Sequence, residues 1–215
     1  MTALTDARPH TLVSRGQTLE DTPETLGELR RSDDLGTTPE AVARHIATAH
    51  ERLDDDGYLF LPGYLQRDEV LAARHELCRQ LADHGLIRDD LPIDDAIVIP
   101  DATLGVKSAD LARTNRALQH LLYGADGPMI RLYRALFGEE VRHFDFTWLR
   151  LVKPGMGTAS HCDLVFMGRG THQLCTTWTP LGDIDRTLGG LIVLEGSHRQ
   201  RDLTDDYLAT DVDTV

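Results

Sequence analysis

The stretch Val141-Arg142-His143-Phe144-Asp145-Phe146-Thr147-Trp148-Leu149-Arg150-Leu151-Val152-Lys153 decides the fold class. Phe144, Phe146 and Trp148 alternate with His143, Asp145 and Thr147, and a period of two is that of a strand with one face buried. Before Gly138 the period is helical. Thr38-Pro39-Glu40 offers a capping hydroxyl and a proline for the first helical position, and Val42, Ile46, Ala49 and Leu53 follow at spacings of four, three and four. One amphipathic helix is expected there. Asp54 to Gly57 stops it, and Tyr58-Leu59-Phe60-Leu61 before Pro62-Gly63 reads as a short buried strand and turn. A second helix is expected from about Asp68 to His84, with Leu71, Leu77, Cys78 and Leu81 on one side and Gly85 closing it. Two further helical stretches, Leu111 to Tyr123 and Pro128 to Phe137, are separated by Gly124 to Gly127 and end at Gly138.

Beyond the deciding stretch the chain reads as β. Gln173 to Leu181 and Leu191 to Leu194 are strand candidates, joined by the Asp- and Gly-rich Gly182 to Gly190. A helical front half followed by strands predicts an α+β domain whose helices buttress a β core. At the other end, Met1 to about Gly36 carries too few apolar residues to offset the entropy of ordering its backbone. A flexible N-terminal arm over residues 1–36 and one domain over 37–215 are therefore expected, with no internal repeat.

Charge and composition narrow the function. The 215 residues hold 22 Lys+Arg against 35 Asp+Glu, a formal charge of −13 that opposes phosphate backbones, with no basic stripe to offset it. Nucleic-acid binding is not expected. No apolar run approaches the roughly 18 residues of a membrane span, and the N-terminus lacks a signal-peptide pattern. Cys78, Cys162 and Cys175 do not form a disulfide framework, so a reducing cytoplasm is expected. Lys107 and Lys153 are the only lysines, which makes each worth inspecting. The Walker A, Gly-x-Gly-x-x-Gly, His-Glu-x-x-His, nucleophile-elbow and Cys-x-x-Cys motifs are all absent.

The chemistry lies just past the Pro154-Gly155-Met156-Gly157 bend, in Ser160-His161-Cys162-Asp163-Leu164. On a strand, residues two apart project to one face, so the His161 imidazole and the Asp163 carboxylate can reach one ion. With a second His they would make the facial triad that suits non-haem Fe(II) and leaves positions open for a cosubstrate and dioxygen. Taken alone, a His-x-Asp triplet is more often a surface or hydrogen-bonded histidine than a ligand. Cys162 between them is expected to pack on the opposite face.

Three segments, in order, resemble the phytanoyl-CoA dioxygenase family of Fe(II)/2-oxoglutarate oxygenases. Asp56-Gly57-Tyr58-Leu59-Phe60-Leu61-Pro62-Gly63-Tyr64 looks like its opening strand and the approach to a helix, and His161-Cys162-Asp163 like its iron-binding His-x-Asp. Trp178-Thr179-Pro180-Leu181-Gly182-Asp183, then Gly189-Gly190-Leu191-Ile192-Val193-Leu194-Glu195-Gly196-Ser197-His198, look like its Trp-centred and Gly-Ser-His strands. The resemblance implies a double-stranded β-helix, or jelly roll, with Fe(II) held by His161 and Asp163. It implies oxidative decarboxylation of 2-oxoglutarate coupled to hydroxylation of a small molecule, an amino acid or natural-product intermediate. It carries Trp178, Lys107 and Leu149 over as residues of the 2-oxoglutarate pocket. Read without it, Trp178 and Leu149 fit a core and Lys107 a solvated loop, and Arg150 is an alternative cation for the acid.

The family's second iron-binding His and its 2-oxoglutarate-binding Arg fall on later strands, whereas this sequence stops at Val215. The resemblance makes His198 the end of a strand, not a ligand, and His172 sits in a loop. The expectation is a chain without its C-terminal strands, poorly competent alone, acting as monomer or homodimer. A non-catalytic binding or scaffold protein of the same fold is the alternative.

Overall fold

The computed structural model describes residues 12–14, 17–19, 26–144, 146–152, 156–167, 170–171, 173–185 and 188–209. The chain divides into two compact units, Arg30–Leu151 with Pro180–Asp183, and Met1–Leu29 with Val152–Thr179 and Ile184–Val215.

The first unit is helical. Helix α1 (Pro39–Arg44) starts where the sequence places it: Thr38 Oγ1 accepts the Ala41 N–H at 3.2 Å, and Pro39 takes the first position. The single helix expected through Leu53 is two, because the backbone turns at His45 (φ −110°, ψ 26°) before α2 (Ile46–Asp55). Both pieces pack on α6 (Pro128–Phe137), so Val42, Ile46, Ala49 and Leu53 still share one cluster with Leu132 and Leu136. Residues 30–36, placed by composition in the arm, join this cluster. Arg31 bridges Phe60, Ser32 N–H donates to the Phe60 carbonyl at 2.8 Å, and Leu35 is fully buried.

Helix α3 (Arg67–Asp83) ends in a Schellman motif, with Gly85 at φ +66°, its N–H on the Ala82 carbonyl and the Leu86 N–H on the Leu81 carbonyl. Leu81 and Leu86 seal that turn from inside a second cluster. The helix expected from Leu111 to Tyr123 is also two, α4 (Ser108–Thr114) and α5 (Arg116–Tyr123), divided at Asn115. Asn115 is fully buried; its Oδ1 accepts the Leu118 N–H and its Nδ2 donates to the Ala73 carbonyl, each at 2.9 Å. Glu76 accepts the N–H groups of Arg116 and Ala117, so α3 itself caps α5. Helix α6 closes at Gly138, φ +69°.

The other unit holds a hairpin of β1 (Leu12–Ser14) and β2 (Gln17–Leu19), paired antiparallel with Leu12 opposite Leu19, together with the single turn α7 (Leu164–Met167) and α8 (Arg201–Leu208). The segments expected as strands, within 141–153, 173–181 and 191–194, run without a ladder among the described residues, and Tyr58–Leu61 carries only the bridge at Phe60. Their apolar faces are correspondingly open: Phe144, Phe146, Trp148, Leu191, Ile192 and Leu194 are all exposed. Alternation supplies a strand's side chains, but a strand forms only where a partner takes its backbone hydrogen bonds. Asp145, Lys153, the Pro154-Gly155 part of the bend, His172 and residues 210–215 lie outside the described residues. Among those described, no helix is long and apolar enough to cross a membrane.

Candidate functional site

His161 and Asp163 lie in the turn that leads into α7, not on a paired strand. The turn brings them together all the same: His161 Nε2 stands 3.2 Å from Asp163 Oδ1, with both side chains 30% exposed. On the other side of the ring, Nδ1 is 2.7 Å from the Ala159 carbonyl oxygen. A carbonyl only accepts, so Nδ1 carries a proton, and Nε2 is the nitrogen that faces the carboxylate. With Nε2 unprotonated, two acceptor atoms would face each other there. Such a pair is satisfied by a second ring proton or by a cation that both atoms share.

The backbone explains why the turn holds. The Asp163 carbonyl accepts the N–H groups of Phe166 and Met167 at 3.0 and 3.1 Å, and the Cys162 carbonyl accepts that of Val165 at 3.2 Å. Asp163 thus begins α7 with its backbone while its carboxylate faces the imidazole. The Phe166 ring meets the His161 ring edge to face, centroids 5.9 Å apart. Cys162, expected to pack on the opposite face, is exposed.

A profile of the family described as Phytanoyl-CoA dioxygenase (PhyH) matches residues 53–213, about three quarters of the chain. The chain belongs to the phytanoyl-CoA dioxygenase family. Two curated proteins are similar at low identity, both named 1-deoxypentalenic acid 11-beta-hydroxylase. The protein of Streptomyces arenae is 24% identical over 157 residues, 68% of this chain and 52% of its own length. That of Streptomyces exfoliatus is 26% identical over 161 residues, again 68% of this chain and 52% of its own length. The chain spans about half the length of these relatives. No solved structure matches it.

For a phytanoyl-CoA dioxygenase family chain the question is whether these residues fit a metal. Two neighbouring donors of a six-coordinate cation, each about 2.1 Å from it, stand about 3 Å apart. The His161–Asp163 separation of 3.2 Å fits, as do a neutral nitrogen and an anionic oxygen as donors for a first-row divalent ion. Among the described residues no third His, Cys, Asp or Glu joins them.

The other expected site residues are placed differently. Lys107 is exposed at the start of α4, where its carbonyl accepts the Asp110 N–H at 2.9 Å. Leu149 packs with Leu181 against clusters that include Leu111 and Leu118. Both belong to the helical unit, whereas His161, Asp163 and Trp178 belong to the other. Trp178 is 47% exposed. Arg150, the alternative cation, lies over the Trp148 ring at 5.5 Å. Sequence reasoning missed the Ala159 carbonyl and Phe166. Neither carries a motif, and both act through a turn that strand periodicity does not foresee.

The segment that follows Trp178 is fastened to α3. Arg67 and Arg74, seven apart and so on one side of that helix, reach it together: Arg67 makes a bidentate pair with Asp183 at 2.6 and 2.7 Å, and Arg74 donates to the Leu181 carbonyl at 3.4 Å. The guanidinium beside it holds the Asp183 carboxyl below the usual carboxylate range.

Proposed function

We propose that this chain belongs to an Fe(II)/2-oxoglutarate-dependent dioxygenase that hydroxylates a small molecule, with His161 and Asp163 as two of its iron ligands. The observation that carries the reading is the pairing of His161 Nε2 with Asp163 Oδ1 at 3.2 Å inside the segment that matches the family. Bound iron supplies the oxidative decarboxylation of 2-oxoglutarate that drives hydroxylation of a C–H bond. The chain's own residues do the rest. The Ala159 carbonyl fixes the His161 tautomer, Asp163 contributes the negative charge, and its carbonyl anchors the turn. Trp178, Lys107 and Leu149 are carried over from the family as residues of the cosubstrate pocket, Lys107 as the cation for its carboxylate.

A substrate smaller than an acyl-CoA suits the formal charge of −13, which opposes a polyphosphate. The similarity to two proteins named as hydroxylases of an acid supports hydroxylation of an amino acid or natural-product intermediate. The exposed apolar side chains Phe144, Phe146 and Trp148, which alternate, and Leu191, Ile192 and Leu194, which form an apolar run, support a jelly roll, since both call for strand partners and cover. The reading places the protein in the cytoplasm as a monomer or homodimer, apart from membranes and nucleic acids.

A scaffold or binding role is the second reading, favoured by the absence of a third metal-binding side chain near His161 and Asp163 among the described residues. Purified protein incubated with Fe(II), ascorbate and 2-oxoglutarate decides between them. Release of succinate above a His161→Ala control supports the oxygenase. No succinate and no iron uptake, by the chain or by any longer form, supports the scaffold.

A further inference from the structure

We propose that Phe166 is a positioning residue for His161: its ring, with the Ala159 carbonyl, keeps the imidazole turned so that Nε2 faces Asp163. The proposal rests on the metal-holding role given above to His161, but the geometry behind it is local. The two rings meet at 5.9 Å between centroids with planes 78° apart, the edge-to-face arrangement that aromatic quadrupoles prefer.

Phe166 is not placed independently of the pair it serves. Its N–H donates to the carbonyl of Asp163 at 3.0 Å, so one helical turn fixes the phenyl ring relative to the residue whose carboxylate faces the imidazole. The His161 ring therefore has a carbonyl at Nδ1, a carboxylate at Nε2 and a phenyl group beside it, all supplied from residues 159 to 166.

A half-turn of the ring would put carbon where each nitrogen stands, breaking the bond to Ala159 and turning Nε2 away from Asp163. At 30% exposure the imidazole is not enclosed tightly enough by bulk packing to prevent that turn, so a specific ring neighbour matters. Groups that orient a metal-binding imidazole from outside the ligand set act in this way.

The test uses the full chain with Co(II) as probe and two variants. Phe166→Leu keeps an apolar, helix-compatible side chain and removes the ring; Phe166→Tyr keeps the ring. In the metal-free proteins, long-range proton–nitrogen NMR correlations of His161, recorded above the ordinary imidazole titration range, report the tautomer. Co(II) titration followed by visible absorption reports affinity. Wild type and Phe166→Tyr are expected to show one Nδ1–H tautomer, and Phe166→Leu a mixture with Co(II) bound about three- to tenfold more weakly. The proposal is overturned if Phe166→Leu changes neither readout, or if Phe166→Tyr loses as much as Phe166→Leu. If wild type takes up no Co(II), the metal reading of the site fails, and the tautomer comparison still decides the role of Phe166.

Discussion

Replacing Asn115 by alanine removes the one side chain that both divides α4 from α5 and ties the break to α3. Asn115 is fully buried, its Oδ1 holds the Leu118 N–H and its Nδ2 the Ala73 carbonyl, each at 2.9 Å. Leu118 is itself 2% exposed, so water cannot replace the lost acceptor. A buried donor left unpaired costs about 1–3 kcal/mol, in line with the roughly 0.5–2 kcal/mol measured for lost helix caps. These describe the same N–H and are not summed. The Ala73 carbonyl sits inside α3 and keeps its helical bond, so losing the Asn115 amide there costs about 1 kcal/mol. The expected loss is about 3 kcal/mol, or roughly 10 °C in Tm for a unit of this size. Glu76 still caps Arg116 and Ala117, so helix content should persist. Urea unfolding followed by far-UV circular dichroism reads this as a lower midpoint with an unchanged slope. Asn115→Ser, whose hydroxyl keeps the cap but cannot reach Ala73, should lose about half as much. An alanine variant within about 0.5 kcal/mol of wild type would refute the reasoning, since no buried donor would then have been orphaned.

Three further outcomes are expected. Arg52 is buried with its Nη2 2.6 Å from Asp34, and its Nε has no hydrogen-bond partner among the described residues. Because the Asp34 carboxylate left behind is 56% exposed, Arg52→Met should leave global stability within about 1 kcal/mol yet loosen residues 30–36, read as faster tryptic cleavage at Arg30 and Arg31. Gly36 sits at φ +83°, and a Cβ there would come within 2.5 Å of the Ala41 Cβ, so Gly36→Ala should cost about 1–3 kcal/mol in thermal unfolding. Asp183 is held below its usual range by Arg67, so the stability this pair contributes is complete above the unfolded carboxylate pKa and fades as pH falls through the lower folded value. The protection factors of the 181–183 amides, referenced to intrinsic exchange at each pH, should hold steady from neutrality to about pH 4 and fall below it, and Arg67→Gln should abolish that acid step.

The helix ends that were legible in the sequence are those whose signals are local. Thr38-Pro39 opens α1, Gly85 closes α3 in a Schellman turn, and Pro128 and Gly138 bound α6, each through groups within a few residues of the end. The breaks at His45 and Asn115 were not legible, and Asn115 shows why. Its apolar neighbours keep a helical period straight through it, while what stabilises the break is the Ala73 carbonyl, forty-two residues away, and the carboxylate of Glu76. Residues 30–36 escaped for the same reason: their composition is that of a loop, but Leu35 is buried where its turn packs against α1 and α2.

The same distinction governs the site. That His161 and Asp163 come together follows from their spacing, because residues two apart meet on one face of a strand and also across a tight turn. Which of the two it is depends on the Asp163 carbonyl capturing the Phe166 and Met167 N–H groups, and no periodicity announces that. The stretch expected as the long strand carries its signal in side-chain alternation, but a ladder is a property of two segments. Phe144, Phe146 and Trp148, exposed at 51, 52 and 46%, alternate as a buried strand face would. In the proposed jelly roll these rings form the inner face, and supplying the strands that pair with 141–152 should bury them. Their fluorescence and exchange then report assembly directly: Trp148 emission should shift to the blue and the amides of 146–152 should become protected on pairing, whereas a chain whose helical unit alone is the functional body would show neither change.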